Sequence, residues 1–443
     1  MRALRRCVFA CSALALTGCS ALIGIDGDYG TQSGSADGGS SPAGQGPATS
    51  GGDPTPGRGS DAASGSDDGA SKGDVGPGNS GRDSGSADGG APPDGSTNTS
   101  DGATAVVSPI NHVYAGSTTV LAGASSQTVT LSAIDPGRAF VVAGSNFSAT
   151  EPTQHEVTAQ IASSTGVTFE RTASSGAPAI PVSYFVAEFQ SGVQVLRGST
   201  TMSATTVPVS LPSPVNLANS FPIVTYRNTG TSSGLDDYVR AKLTSASQLS
   251  LGIGLAAPDG IAEWQVVSFS GATVQSGDVT MGGSDTTVTA TLPNAVTPSA
   301  TWLLLSNQVA NAMGTTAELL VSGHVSSPTQ LTFTRAGTGA TNQITWYAVS
   351  FTNGTTVQSS ALTLGDSTTT ATAPLTAVDP LKSIAVTGGV WLRGGTTAHS
   401  GASSPGFGTY TLNLGTGAQV QVDRGVSGTG TQSTVDLSVV QFF

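Results

Sequence analysis

The sequence predicts an all-β protein in which four tandem antiparallel β-sandwich-like repeats follow a disordered Gly/Ser/Asp-rich tether. Three observations carry that expectation. From Thr31 to Ala105 there is no Leu, Ile, Met, Phe, Tyr or Trp, and Val75 is the only large aliphatic residue. After Val106 the texture changes to short alternating runs of Val, Thr, Leu and aromatics broken by Gly, Ser, Pro and Asp, the strand-and-turn signature. One closing strand then recurs four times: Tyr184–Phe189 (YFVAEF), Trp264–Phe269 (WQVVSF), Trp346–Phe351 (WYAVSF) and Leu437–Phe442 (LSVVQF). No stretch holds a sustained helical period.

The first element is an address. Arg2, Arg5 and Arg6 precede a ten-residue apolar run at 7–16 (CVFACSALAL), and small residues follow, which is the layout of an export signal. Ten helical residues rise only about 15 Å against a hydrocarbon core of ~30 Å, so the run is too short for a permanent span. It ends in Leu16-Thr17-Gly18-Cys19, which resembles the bacterial lipobox. That resemblance implies a diacylglycerol on the Cys19 thiol, cleavage before Cys19 and acylation of the new amino group. Cys7 and Cys11 fall in the leader, so the mature chain of 425 residues (443 minus 18) keeps Cys19 alone. An exported protein with one thiol cannot form an internal disulfide, and lipidation gives that thiol a purpose. In Gram-negative lipoproteins an aspartate after the cysteine is associated with inner-membrane retention. Ser20 stands there instead, so the expected location is the outer membrane, with the leaflet undetermined.

The second element, 19–106, is the lipidated cysteine and a linker. It has nothing to offset the ~1–2 kcal/mol per residue that ordering a backbone costs. Ser20–Ala105 holds 12 acidic and 3 basic residues, and this like charge extends the coil. The phrase SGSADGG at 33–39 and again at 84–90 marks low complexity. Scattered Asp-Gly pairs do not reproduce a calcium-loop spacing.

The repeats follow at 107–190, 191–270, 271–352 and 353–443. Their closing phenylalanines, Phe189, Phe269, Phe351 and Phe442, are 80, 82 and 91 residues apart. A second marker runs in step: Val113–Leu131, Val193–Leu211, Val274–Leu292 and Val357–Leu375 each span 18 residues and read as a Thr-rich hairpin before a Pro-bearing turn. About 80–90 residues hold six or seven strands of ordinary length, enough for two packed sheets and too many for a propeller blade. Exchange of strands between neighbouring repeats is the alternative. The motif aromatic-x-V-V-x-F with a Thr-rich V-Q-S-G stretch is similar to tandem β repeats of bacterial and phage-associated surface proteins whose activity is unassigned. The resemblance implies surface display.

Chemistry is sparse. A net charge of -12, from 16 basic and 28 acidic residues, argues against nucleic acid. Two Gly-x-Ser-x-Gly matches, at 69–73 and 230–234, have no helix after them, as a nucleophile elbow requires. His112, His155, His324 and His399 are isolated in sequence. Asp236-Asp237 and Asp259 with Glu263 read as turn carboxylates. Arg171, Arg335 and Arg424 recur 18, 16 and 18 residues before the closing Phe, with Ile253 near that place in the second repeat. Such a guanidinium holds a loop by bonding carbonyls or lines a ligand groove. With Trp302 and Trp391 these arginines form the candidate ligand surface. The aromatic column Tyr184, Trp264, Trp346 (Leu437 in the last repeat) reads as core. The expectation is therefore a lipid-anchored envelope protein that binds or adheres, with no catalysis, no metal and no cofactor beyond the covalent lipid at Cys19. Its partners are the membrane through the anchor, and an envelope glycan or another surface protein. A hydrolase whose site assembles only in the fold, or a plain structural spacer, are the alternatives.

Overall fold

The computed structural model describes residues 109–147, 154, 156–172, 175–228, 234–257, 260–311, 315–392, 408–428 and 432–443, of which 311 and 390–392 are described by their backbone alone. All belong to one unit, Gly95–Phe443. The leader, Cys19 and the linker lie outside the described residues.

The repeats are six-stranded sandwiches. The first holds β1 (Ile110–Val120), β2 (Ser126–Thr130), β3 (Ala139–Ser145), β4 (Thr158–Ser163), β5 (Gly166–Glu170) and β6 (Ile180–Phe189), in two antiparallel sheets ordered β1-β6-β3 and β2-β5-β4. The second holds β7 (Val193–Thr201), β8 (Thr206–Ser210), β9 (Ser220–Arg227), β10 (Arg240–Ser245), β11 (Gln248–Gly252) and β12 (Ile261–Phe269). In the third are β13 (Ala272–Met281), β14 (Thr287–Thr291), β15 (Thr301–Asn311), a one-turn helix α1 (Thr316–Leu319), β16 (Ser322–Ser327), β17 (Gln330–Thr334) and β18 (Thr341–Phe351). The fourth comprises β19 (Thr356–Leu364), β20 (Thr370–Pro374), β21 (Ser383–Leu392), β22 (Tyr410–Asn413), β23 (Gln419–Arg424) and β24 (Ser433–Gln441). The same pairing order returns in every repeat, and one bridge, Ser322 with Gly389, joins sheets of the third and fourth.

Two expectations need correction. The Thr-rich stretch is not a hairpin: β1 pairs with β6, and β2 pairs with β5 in the other sheet. The physical reason is the closing strand, whose two apolar faces require the centre of a sheet between the first and third strands. The short second strand, with one half-buried face, is left to the outer sheet. The second marker also slips. Gly198 lies opposite Trp264, as Gly116 does opposite Tyr184 and Gly277 opposite Trp346. That register makes Val195, not Val193, the counterpart of Val113, so the first turn of the second repeat is shorter by two residues.

The closing strands position everything else. Along β6, Tyr184 and Val186 enter the core of their own sandwich, while Phe185, Ala187 and Phe189 enter a second core shared by all four repeats. Phe189 meets Phe269 at 5.1 Å and Phe442 at 5.0 Å, and Phe351 meets Phe269 at 5.4 Å and Phe442 at 6.1 Å, all edge-on. Aromatic edges prefer such contacts.

Around this axis the repeats close a ring of approximate fourfold symmetry. The 3-10 turns Pro136–Arg138, Leu217–Asn219 and Pro298–Ala300 pack on β7, β13 and β19, the first strand of the next repeat, and Pro380–Lys382 packs back on β1. Ile110 N donates to Phe443 O at 2.9 Å across the closure. Each sandwich is pinned alike at its lower end: the N–H groups of Leu131, Leu211, Leu292 and Leu375 donate to Thr165, Ser247, Thr329 and Ala418 carbonyls at 2.8–2.9 Å.

Because the axial core belongs to all four repeats, Phe269→Ala is expected to destabilise the whole ring by about 3–5 kcal/mol, the usual cost of truncating a buried Phe. Guanidinium unfolding followed by tryptophan fluorescence and by far-ultraviolet dichroism checks this. The two probes should move together to lower denaturant, and separated transitions would show that the repeats fold independently.

Candidate functional site

Beyond the phenylalanine cluster, β3, β9, β15 and β21 stand around the axis and line a cavity of about 320 Å³. Val142, Phe185, Ile223, Trp302, Leu304 and Val386 supply its apolar wall, and Ser183, Thr225, Thr387 and Thr409 add hydroxyls. These elements place the wall because the third strands, like the closing strands, carry apolar residues on both faces: Ala139 and Val141 face the first sandwich, Phe140 and Val142 the axis. Among the described lining residues no side chain carries a full charge, and the sole titratable group is Tyr410, whose hydroxyl is pushed up to about 12 by burial and bonds to Ser433. The Thr409 Oγ1 is buried and has no hydrogen-bond partner. A second hollow, between the second and third repeats, shares Ile223, Val224, Leu304 and Leu305 with the first.

The expected ligand surface is placed differently. Arg171, Arg335 and Arg424 are buried, at 2%, 1% and 3% exposure, and donate to backbone carbonyls, with Arg424 donating also to the Ser433 hydroxyl at 3.2 Å. Arg171 donates to the carbonyls of Leu121 and Ala124 at 2.7 Å, to Gln154 at 3.1 Å and to Pro178. Arg335 does the same to Gly282, Asp285, Glu318 and Ala340, and Arg424 to Gly365 and Thr368. Each guanidinium thus clamps the turn between the first two strands, and burial lowers the pKa of all three. They act as loop clamps, and none of the three lines the axial cavity. Ile253 stands at the matching place: its N–H donates to Thr205 O as those of Arg171, Arg335 and Arg424 donate to Ser125, Thr286 and Thr369. The repeat without the arginine is the one with the shortened turn. Trp302 is 2% exposed and stacks edge-on against Phe221 at 5.6 Å, so it forms cavity wall rather than open surface. Trp391 pairs through its backbone with Thr434, and its side chain lies outside the described residues, as do His155, His399, Asp259 and residues 231–233.

Polar chemistry gathers at the joints between repeats. Ser183, Glu263, Thr345 and Asp436 share one position in the closing strands, and Glu263 therefore sits in β12 rather than in a turn. Ser183 Oγ accepts from Leu412 N at 2.9 Å. Burial raises the Glu263 carboxyl above its ordinary range despite Ser199 and Arg227. Thr345 donates at 2.6 Å to Asp278, which also pairs with Arg240 at 3.5 Å and with Lys242. Asp436 lies 3.7 Å from His324 Nδ1 and is raised by burial. His324 and Asp436 line a cavity of about 250 Å³ together with Ser359 and Ser438, and the nearby Ser322 hydroxyl bonds to Thr334 at 3.1 Å and to Asp436. His112 packs against the Tyr114 ring. Asp236 and Asp237 accept from the Asn228 amide at 2.7 and 2.9 Å, and the Asn228 N–H donates to Glu156 at 2.7 Å. Burial and Asp237 push Glu156 well above the usual carboxylate range. No group of three His, Cys, Asp or Glu among the described residues could hold a metal. The axial cavity was missed in the sequence, although the signal was there: apolar residues on both faces of the third strands.

No protein-family model matches the chain, and comparison with curated proteins finds no match.

Two outcomes follow from this geometry. Arg335→Ala takes the guanidinium from four carbonyls, of which Gly282 O keeps the Asp285 N–H and Glu318 O keeps the Asn342 amide, and should cost about 3 kcal/mol. Arg335→Ile combined with removal of two residues from 282–286 should regain part of that loss, read as denaturation midpoints, because the second repeat is built that way. The Glu263 carboxyl is raised in the fold, so stability from its retained proton is full below its ordinary value of 4.5 and is lost as pH rises through the folded value. Glu263→Gln should therefore match the wild type near pH 4 and melt higher than it at pH 8; an unchanged difference across that range would show that the carboxyl is not buried in the fold.

Proposed function

We propose that this protein is a lipoprotein of a bacterial outer membrane, held through acyl chains on Cys19, which presents a closed ring of four β-sandwiches and acts by binding. The anchor rests on the lipobox-like Leu16-Thr17-Gly18-Cys19 and on Cys19 as the single thiol left after cleavage. Two or three acyl chains at ~0.8 kcal/mol per buried CH₂ hold a protein on a membrane nearly permanently. The linker has the composition of a spacer, so the ring stands off the lipid surface. The ring's first strand starts at the end where the four phenylalanines meet. The cavity end of the axis then faces away from the point where the linker joins.

The observation that carries binding over catalysis is the cavity. It is framed by all four repeats, its described lining offers shape and hydroxyls, and it brings no acid–base pair to a common point. A concave, mostly apolar pocket with few polar groups is the usual form of a recognition site. An envelope glycan or another surface protein is the partner class for the outer surface of the ring.

Expression of the full-length chain in a Gram-negative host with labelled palmitate tests the placement. The wild type should take up label and sediment with outer membranes, and Cys19→Ala should be unlabelled and lost from the membrane. An unlabelled wild type would remove the anchor from this reading. A panel of envelope glycans and polymers, applied to the anchored protein, tests the partner class, and a flat result would favour the spacer.

A further inference from the structure

We infer that the axial cavity is a binding site for a small, uncharged, flat aromatic molecule carrying a single hydroxyl. The inference deepens the binding reading above and rests on it for its biological meaning, but not on the lipid anchor.

Three properties of the cavity converge. The first is size. Protein interiors rarely keep voids larger than a water molecule, whereas ligand pockets start at roughly 300 Å³ and an engineered apolar cavity of about 150 Å³ already takes up benzene. At about 320 Å³ the axial cavity has room for two fused rings. The same closely packed ring fills its other half with phenylalanine, so the opening is not a general looseness of the axis.

The second is charge. The four strands at the wall bring Val142, Ile223, Leu304 and Val386, and neither a basic nor an acidic side chain is among the described lining residues. A carboxylate or ammonium seated against buried Phe185 and Trp302 gives up hydration on that side without a charged partner among the described lining residues, which favours a neutral molecule of equal size. The charges of this part of the fold are held instead at the joints, as in the Asp278–Arg240 and Asp436–His324 pairs.

The third is an unspent hydrogen bond. Thr409 lines the cavity, and its Oγ1 is shielded from solvent without any partner, a rare condition for a buried polar atom. Ser183, the other buried hydroxyl of the wall, is already engaged with Leu412 N and Gly144 O. Ser145, Thr225 and Thr387 add further hydroxyls to the wall, but among the described lining residues that of Thr409 alone is both shielded from solvent and without a partner, so a ligand with one matching group satisfies it. Phe185 and Trp302 supply aromatic surface against which a flat ring packs.

Naphthalene, 1-naphthol and 1-naphthoate have nearly the same shape and separate these properties. Titrated against the full-length protein by calorimetry and ligand fluorescence, 1-naphthol should bind, naphthalene should bind about three- to tenfold more weakly, and 1-naphthoate should not bind. Val386→Phe, which fills the cavity, should remove 1-naphthol binding. Thr409→Val, nearly identical in shape and safe for folding, should bring 1-naphthol down to the affinity of naphthalene. Absence of 1-naphthol binding to a wild type with a cooperative melt overturns the inference, as does 1-naphthoate binding equally well or binding that ignores Thr409→Val. A wild type that ignores all three probes yet captures an envelope glycan would sink the cavity while leaving the protein a binder; failure on both panels would sink the binding reading itself.

Discussion

The structure depends on one constraint: the closing strand of every repeat is apolar on both faces. A sandwich can bury only one face of each sheet, so β6, β12, β18 and β24 would each leave a stripe ending in phenylalanine exposed if their repeat stood alone. Four such stripes satisfy one another. The ring, the adjacency of Ile110 and Phe443, and the axial cavity all follow from that mutual burial. Covering the second face of a central sheet with another central sheet is the all-β analogue of a layered core.

The fourfold pattern is approximate, and its departures are paired. Where the closing strand carries a large aromatic ring, the facing first strand carries glycine: a Cβ on Gly116, Gly198 or Gly277 would lie 2.5–2.6 Å from Tyr184, Trp264 or Trp346. The fourth repeat puts Leu437 there and has Ser360 opposite. The arginine clamp obeys the same logic. A longer turn such as 282–286 gives carbonyls to a guanidinium, whereas the shorter turn 203–205 follows Met202, whose N–H donates to Gly260 O, and its Thr205 O accepts from Ile253 N. Each difference between repeats is one half of a local compensation, which is what close packing demands.

Strand content, repeat number and the aromatic core column were legible because each depends on short-range alternation and on copies of a single motif. Which strands pair was not. A Thr-rich run followed by a turn looks like a hairpin whether its strands meet each other or two strands some 40 to 70 residues away, as β2 and β1 do. The arginines were visible as a repeat, but burial decides between clamp and ligand contact, and burial comes only from the fold. The cavity needs still more, since its wall takes residues from all four copies. Local pattern cannot report a surface that exists only when the ring closes.

The joints explain how neighbouring repeats are told apart and where the charges beside the axis sit. At two of them a hydroxyl bridges the strands: Thr225 and Ser306 accept from Ala159 N and Ala241 N at 3.0 Å. At the other two the matching residues are Gly388 and Gly144, and a Cβ there would stand 2.8 Å from Gly323 O and 2.4 Å from Tyr410 O. The polar column beside them differs too, from neutral Ser183 to Glu263, to Thr345 against Asp278, to Asp436 against His324. Four identical joints would let any repeat follow any other, within one chain or between chains. Joints that differ in steric room and in charge reject the wrong neighbour, by a clash or by an unpaired buried group. Specificity of assembly therefore places the acidic and basic groups at the joints, and the described inner wall, relieved of that task, keeps apolar side chains and hydroxyls, of which that of Thr409 is buried without a partner.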